Sequence, residues 1–302
     1  MKTLILGKTG QVGRQLNDSL HSLGKVFLCG REEVNFEYQE QLYSVVQSVQ
    51  PDIIVNAVAY TSVDQAESER ELSTRVNTTA VGELAQYANE YDALLVHYST
   101  DYVFDGNKSG RYGEEDITNP QSVYGQTKLD GENLIRESGC KHLIFRTSWV
   151  YSDVGNNFMS TILNLASKKT SLNVIDDQIG SPTSAKLIAQ VTAQVLNSYI
   201  EDQIRFQPEL GTYHLSASGE TSWYEYAKTI IDFASLHNEE LVLSAEAIFP
   251  VSSSEYPQIA IRPKNSLLDT SKLTSQFDVT LPNWKENLHQ IMSSLFTCHS
   301  EV

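Results

Sequence analysis

Tyr124 and Lys128 stand four positions apart in the stretch Tyr124-Gly-Gln-Thr-Lys128. On a helix that spacing puts a phenol and an ammonium on one face. The pair can make an acid. A phenol titrates near 10, and a neighbouring cation that favours phenolate brings it toward neutral pH, a change of about 3 pH units or roughly 4 kcal/mol. The chain holds 15 tyrosines, so the spacing alone fits an ordinary helix-surface contact as well. The elements upstream must decide between the two.

Lys2 to Leu6 is a short apolar run rich in strand formers, followed by Gly7-Lys-Thr-Gly10-Gln-Val-Gly13 and then by apolar positions Val12, Leu16, Leu20 and Leu23 at helical spacing. This is strand, glycine turn, helix. Glycines there allow positive φ and let a pyrophosphate approach the backbone, while the helix N-terminus supplies free N–H groups and partial positive charge. Gly7, Thr9, Gly10, Gln11, Val12 and Gly13 are therefore candidate dinucleotide contacts. A second strand, Val26 to Cys29, ends at Gly30-Arg31, where an acid would select NAD through the ribose hydroxyl and an arginine can accept a 2′-phosphate. Arg31 tilts the expectation from NADH toward NADPH, although a pairing with Glu32 or Glu33 would explain it equally.

Pro51 breaks a helical pattern, and the apolar run from Asp52 to Ala59 has the character of a central strand covered on both faces. Small Ala57 and Ala59 at its end, with Val58, would let a cofactor lie against the backbone, and Tyr60 and Thr61 open the next loop. The long helical segment that follows carries Asp64, Glu67 and Glu69, acids suited to a helix start. A fourth strand, Ala93 to Thr100, runs into Asp101, Tyr102, Val103 and Phe104; ligands of open parallel sheets bind beyond such strand ends. His97, inside that strand, reads as a core histidine. After the long polar loop from Asp105 to Gln121 come the helix bearing Tyr124 and another buried strand, His142 to Thr147.

Strands alternating with helices to residue 150 specify an α/β fold, a doubly wound parallel Rossmann-type sheet. Residues 1–150 with about 183–217 are expected to form the dinucleotide-binding domain. About 151–182 and 218–302 are expected to form a smaller C-terminal substrate lobe, entered by the aromatic stretch around Trp149, Tyr151 and Phe158. The turn Arg262-Pro-Lys-Asn265 is a candidate for binding a nucleotide diphosphate. With net charge −16, nucleic acid and anionic membrane surfaces are disfavoured partners. No apolar run has the length of a membrane span and the N-terminus lacks the pattern of a signal peptide, so a cytoplasmic protein is expected. Cys29, Cys140 and Cys298 lack metal-ligand spacing and read as inert thiols.

The segments Gly7 to Gly13, Asn56-Ala-Val-Ala59, Ser99-Thr-Asp-Tyr-Val-Phe104, Tyr124 to Lys128, Arg146-Thr-Ser-Trp-Val-Tyr151, Asp177-Gln-Ile-Gly-Ser-Pro-Thr183 and Arg262-Pro-Lys-Asn-Ser266 together resemble the dTDP-4-dehydrorhamnose reductase family. That family lies within the extended short-chain dehydrogenase/reductase superfamily. The resemblance spans essentially the whole chain and implies reduction of the C4 ketone of dTDP-4-dehydro-L-rhamnose by NADPH or NADH. It implies that Tyr124 donates the proton, that Lys128 lowers the phenol and bonds the nicotinamide ribose, and that Thr100 bonds near the sugar carbonyl. Asp101, Tyr102 and Trp149 would line the sugar site, and Arg262 would contact the substrate. Asn35 and Phe36 stand where an acid facing the adenosine is expected. Members can dimerise through acidic residues and magnesium; a homodimer stays open, and no metal is predicted because that acidic set is not matched here. Two alternatives share the fold: a nucleotide-sugar dehydratase or epimerase, and a cofactor-binding regulatory subunit without catalysis. A dehydratase is expected to show Asp-Glu where this chain has Asp101-Tyr102, and a binding-only protein need not keep Thr100, Tyr124 and Lys128 together.

Overall fold

The computed structural model describes residues 1–201, 210–237 and 241–299, with side chains through residue 296. Its centre is a six-stranded sheet of β1 (Lys2–Leu6), β2 (Lys25–Cys29), β3 (Ile53–Asn56), β4 (Leu94–Thr100), β5 (His142–Thr147) and β6 (Gly211–His214). The spatial order is β6-β5-β4-β3-β1-β2, with every neighbouring pair parallel. Successive strand residues point to opposite faces. Ile5 therefore packs with Leu16, Leu20 and Ile188 on one side, while Leu4 and Leu6 pack with Leu42, Val46 and Leu84 on the other. Each of these side chains is essentially inaccessible, which favours folding by roughly 1.5–3 kcal/mol apiece.

Because β1 lies between β2 and β3, the chain leaves β1 and β3 in opposite directions along the sheet, and a crevice opens beyond their carboxyl ends. The helix Gln11–Leu20 starts at that crevice, and the helix Ala185–Glu201 packs against it. The C-terminal part adds the helices Phe158–Ala166 and Trp223–Ser235 and a parallel pair of short strands, Leu172–Ile175 and Ile248–Val251. Asn157 caps the first of these helices reciprocally with Ser160, which explains why the polar Asn156-Asn157 pair precedes an apolar run. One apolar cluster runs unbroken from the sheet face into Tyr226, Ile230 and Leu288 of the C-terminal part.

The segment after β3 departs from the expected single helix with capping acids. It is divided into Val63–Ala66, Arg70–Thr74, a wide π turn at Arg75–Thr79 and Ala80–Glu90, and neither Ser62 nor Glu69 makes a side-chain cap. The three acids instead accept bonds from distant backbone and side chains. Asp64 accepts from Ala260 N–H and Arg262, Glu67 from Val123 N–H, and Glu69 from the Tyr60 hydroxyl. Partners with larger charge or orphaned N–H groups outcompete a short helix's own amides. Cys29 and Cys140 are buried, and burial pushes both thiols up, away from reactive thiolate. Cys298 lies outside the residues whose side chains are described. Among the described residues, no helix is long and apolar enough to cross a membrane.

Candidate active site

The first half of the site is a cavity of about 280 Å³ beyond β1 and β3. Gly7, Thr9, Gly10, Arg31, Asn35, Phe36, Ala57, Val58, Ala59 and Tyr60 line it, as do Val34, Glu37, Leu72 and Val76. Two glycines shape the turn. Gly7 sits at φ +95, and a Cβ on it would stand 2.9 Å from the Ala57 carbonyl; a Cβ on Gly13 would stand 2.0 Å from the Gly7 carbonyl. Larger residues would separate β1, β3 and the helix. Gly10 begins that helix with no side-chain cap, leaving its first N–H groups directed at the cavity mouth. The chemistry of the lining fits a dinucleotide: bare backbone and helix N–H groups for phosphates, apolar Val34 and Val58 for a base, and Arg31 at the rim.

Seven other predicted cofactor residues lie outside that lining; two of them, Tyr124 and Lys128, belong to the second half of the site. Of the remaining five, Gln11 turns its amide oxygen to Ser152 and Asn157 of the C-terminal lobe, Val12 packs into the core, and Gly13 acts through the close approach just described. Gly30 donates its N–H to Glu33 at 2.7 Å, and Thr61 is exposed. Arg31 pairs with Glu37 at 2.5 Å, neither with Glu32 nor with Glu33; Glu33 pairs with Lys8. Glu37 is the acid near the second strand that the sequence reading passed over, and Glu33, considered there as a partner of Arg31, goes to Lys8, since nothing in the spacing shows which way a loop carboxylate turns.

The second half of the site gathers at the end of β4. Thr100 and Asp101 are buried there; the Thr100 hydroxyl donates to Asp101 Oδ1 at 3.1 Å and accepts the Tyr102 N–H at 3.2 Å. The helix Val123–Glu137 brings up Tyr124, with Ser122 as its N-cap. A Cβ on Gly125 would stand 2.2 Å from the Tyr102 carbonyl, so glycine after Tyr124 is what lets the helix nest on this loop. The Tyr102 and Tyr124 rings meet edge to face, with centroids 5.5 Å apart. Lys128 is buried one turn further along.

The electrostatics of the pair differ from the sequence expectation. Desolvation pushes the Tyr124 phenol up to about 12, with the Thr100 hydroxyl working the other way and Asp101 adding to the rise. Lys128 Nζ does not offset this, because it is held by Tyr98 O at 2.7 Å and His97 Nε2 at 3.0 Å. Burial pushes Lys128 down to about 8 while Glu132 opposes that fall. His97 is a core residue as expected, but one that touches the lysine.

Burial also pushes the Asp101 carboxyl up to about 6, against the hydroxyls of Ser266 and Thr100, and Oδ2 has no partner. A carboxyl raised on folding stabilises below its unfolded value near 3.8, and that contribution is lost as pH climbs through about 6. Asp101→Asn should therefore stabilise the protein at pH 7 by roughly 1–3 kcal/mol relative to its effect at pH 4. Thermal melts of both proteins at the two pH values check this; equal displacements would contradict it. A carboxyl kept buried at that cost to stability, with one buried oxygen left unpartnered, fits a ligand contact.

Trp149 and Arg262 lie on the C-terminal side. Trp149 adopts φ +47, a conformation that strains a bulky residue, and stacks on Trp223 at 3.5 Å between centroids. Gly180 makes room for it, since a Cβ there would stand 2.4 Å from the indole. Arg262 lies at the rim of a second cavity of about 330 Å³ with Phe158, Ile162, Val174, Trp223 and Tyr256. Its guanidinium bonds Asp64 at 2.7 Å. Against its partial desolvation, the Ala260 N–H and Arg262 hold the Asp64 carboxyl below its usual range. Trp223 and Asp64 were not recognised as site residues from the sequence. Each meets its partner across a long chain separation, and only the fold supplies that contact.

Comparison with known proteins gives the same picture along the full length. A family model described as RmlD substrate binding domain matches residues 1–296. A dTDP-4-dehydrorhamnose reductase of Escherichia coli strain K12 is 43% identical over 306 residues, covering 98% of this chain and 99% of that one. The crystal structure of a dTDP-4-dehydrorhamnose reductase from Clostridium acetobutylicum superposes with a TM-score of 0.87 at 33% identity, covering 98% of this chain and 99% of that one. A dTDP-4-dehydrorhamnose reductase from Bacillus anthracis, crystallised in complex with NADP, superposes with a TM-score of 0.86 at 33% identity, covering 97% and 99%. On these matches along nearly its whole length, the chain belongs to the RmlD substrate-binding-domain family, that of the dTDP-4-dehydrorhamnose reductases.

Proposed function

We propose that this protein reduces the C4 ketone of dTDP-4-dehydro-L-rhamnose to dTDP-L-rhamnose, with NADPH or NADH as the reductant. The observation that carries this reading is the convergence of Thr100, Asp101 and Tyr124 at the end of β4, in a chain similar over its whole length to reductases of that sugar. Bound in the β1–β3 crevice, the dihydronicotinamide supplies a hydride to the ketone carbon. As negative charge grows on the ketone oxygen, Tyr124 Oη gives it a proton. A phenol near 12 is fully protonated at neutral pH and can neutralise an alkoxide, which is a far stronger base. Thr100, tied to Asp101, orients the oxygen, and Asp101 takes a sugar hydroxyl on its free oxygen. Lys128 bonds the nicotinamide ribose. Trp149 on Trp223 walls the sugar site, while Arg262 meets the diphosphate and the apolar cavity beside it takes the thymidine.

A dehydratase would need a second carboxylate beside Asp101, and Tyr102 occupies that position. The test is turnover: purified protein, the 4-keto sugar nucleotide and NADPH or NADH should give sugar-dependent loss of nicotinamide absorbance. Cofactor binding without turnover would favour the regulatory reading.

The same site gives a cofactor prediction. Arg31 is exposed at the rim and its ion pair with Glu37 is screened by solvent, so a 2′-phosphate can recruit it from Glu37. Arg31→Ala should raise KM for NADPH by about 3- to 10-fold, as expected for one lost phosphate contact of roughly 1 kcal/mol, with little change for NADH. Equal effects on both cofactors would remove Arg31 from 2′-phosphate recognition.

A further inference from the structure

Lys128 is paired with a residue that the mechanism above does not use. His97 is fully buried in β4, opposite Asn56 of β3 in the sheet register. Its Nδ1 lies 3.1 Å from Asn56 Nδ2 and its Nε2 lies 3.0 Å from Lys128 Nζ. The donors and acceptors of this chain can be assigned in order. Asn56 Oδ1 accepts the Val58 N–H at 3.0 Å, which fixes the amide with its Nδ2 toward His97. An amide nitrogen only donates, so Nδ1 must accept, and a neutral imidazole then carries its hydrogen on Nε2. That hydrogen points at Lys128 Nζ. An ammonium has no lone pair to receive it, whereas a neutral amine does, and the amine still has N–H groups for the Tyr98 carbonyl at 2.7 Å.

We infer that His97 is a positioning residue for Lys128: its Nε2–H holds the lysine as a neutral amine in the cofactor-free protein, and binding of the dinucleotide is coupled to uptake of one proton there. The opposite assignment, with charged lysine and hydrogen on Nδ1, would set the Nδ1–H and the Asn56 Nδ2–H donors against each other in a fully buried place. In the assigned state, Asn56, His97 and Lys128 leave no buried side-chain nitrogen or oxygen unpartnered.

The surroundings agree. Burial, together with the neighbouring Lys128, holds the His97 imidazole well below its ordinary value, and burial brings Lys128 to about 8. The charged group facing Lys128 from its own helix is Glu132, which pushes it back up but is itself taken by Arg146 of β5 and by Arg136. Tyr124 on the helix and Asp101 after β4 stand at the outer end of the cluster. The neighbouring Arg70–Thr79 segment contributes uncharged Ser73, Asn77 and Thr78, which bond Thr127, the residue before Lys128. Protonation from solvent converts the amine to ammonium, which has no lone pair for Nε2–H, and the Asn56 amide opposes the other tautomer. Nζ must then leave Nε2, which frees Lys128 to donate toward a ribose hydroxyl.

The inference rests on Lys128 belonging to the nicotinamide site, and the two can fail separately. Loss of turnover in Lys128→Met tests the site. The protonation claim is tested by NMR titration of the lysine side-chain Cε and Nζ signals in the cofactor-free, full-length protein, with Lys128→Met as the assignment. One lysine should titrate near 8 and be missing from that variant. His97→Gln, whose carbonyl can accept from an ammonium, should raise the midpoint by at least tenfold in proton affinity. Asn56→Asp should do the same, because a carboxylate facing Nδ1 demands its hydrogen and turns Nε2 into an acceptor. Calorimetry of NADPH binding at pH 9, in buffers of different ionisation heat, should show uptake of close to one proton by the wild type and much less by His97→Gln. Titration of Lys128 with ordinary lysines near 10.5, or an unchanged midpoint in either folded variant, would overturn the inference. If neither variant folds, the wild-type midpoint and proton count decide it.

Discussion

Tyr124→Phe should bind cofactor and sugar nucleotide with nearly unchanged affinity and lose about 10²- to 10⁴-fold in kcat, the range expected for an aimed proton donor. The substitution removes one oxygen and keeps the ring, so the edge-to-face contact with Tyr102 survives and the helix still nests on Gly125. The loss should therefore appear in kcat and leave both KM values close to wild type. Steady-state kinetics with both substrates varied, and a separate measurement of NADPH affinity, check this. A variant with near-normal kcat would remove Tyr124 from the acid role; a raised KM with unchanged kcat would make it a binding residue.

Glu132→Ala should cost roughly 3–5 kcal/mol of stability, the largest effect expected away from the chemistry. Glu132 lies fully buried on the row Tyr124, Lys128, Glu132, Arg136, and receives both arms of Arg146 at 2.9 and 2.7 Å. Despite the desolvation that opposes it, Arg146 holds the Glu132 carboxyl below the usual range, so it is charged at neutral pH. Removing it leaves the buried Arg146 guanidinium uncompensated over the Phe104 ring. It also removes the carboxylate that supports the charged form of Lys128, so activity should fall with stability. Replacing both partners together, Glu132→Leu with Arg146→Met, should recover most of the stability, because no charge is then left buried. Urea unfolding of the three proteins measures this. A Glu132→Ala loss below about 1 kcal/mol would mean that the pair contributes no more than a surface contact.

Much of the fold was legible because its signals are local. Strand runs, the glycine turn and the apolar positions at helical spacing placed five of the sheet strands and the helices between them. The place of Thr100 and Asp101 beyond a strand end could likewise be read, since ligands of parallel sheets bind there, whereas their joining with Tyr124 came from the family resemblance. What could not be read was decided by partners distant in sequence. Asp64, Glu67 and Glu69 looked like helix caps until Arg262, Val123 and Tyr60 came within reach. The direction of the change at Tyr124 depended on where Lys128 Nζ points, and His97 with the Tyr98 carbonyl claims it. Spacing on a helix shows which residues share a face, not which of several neighbours a flexible ammonium will choose. Trp223 and Glu132 were invisible for the related reason that a stacking or buried charge partner carries no mark of its own in the chain.

The central claim is that hydride passes from the nicotinamide to C4 of the sugar while Tyr124 protonates the oxygen. Its most direct test is to supply NADPH deuterated at the transferable position, together with dTDP-4-dehydro-L-rhamnose, and to locate the label in the product by NMR and mass spectrometry. The predicted result is one deuterium per product molecule, on C4 of dTDP-L-rhamnose, with none lost to water. Label elsewhere on the sugar, label in solvent, or recovery of the unreduced ketone beside unconsumed NADPH would contradict it.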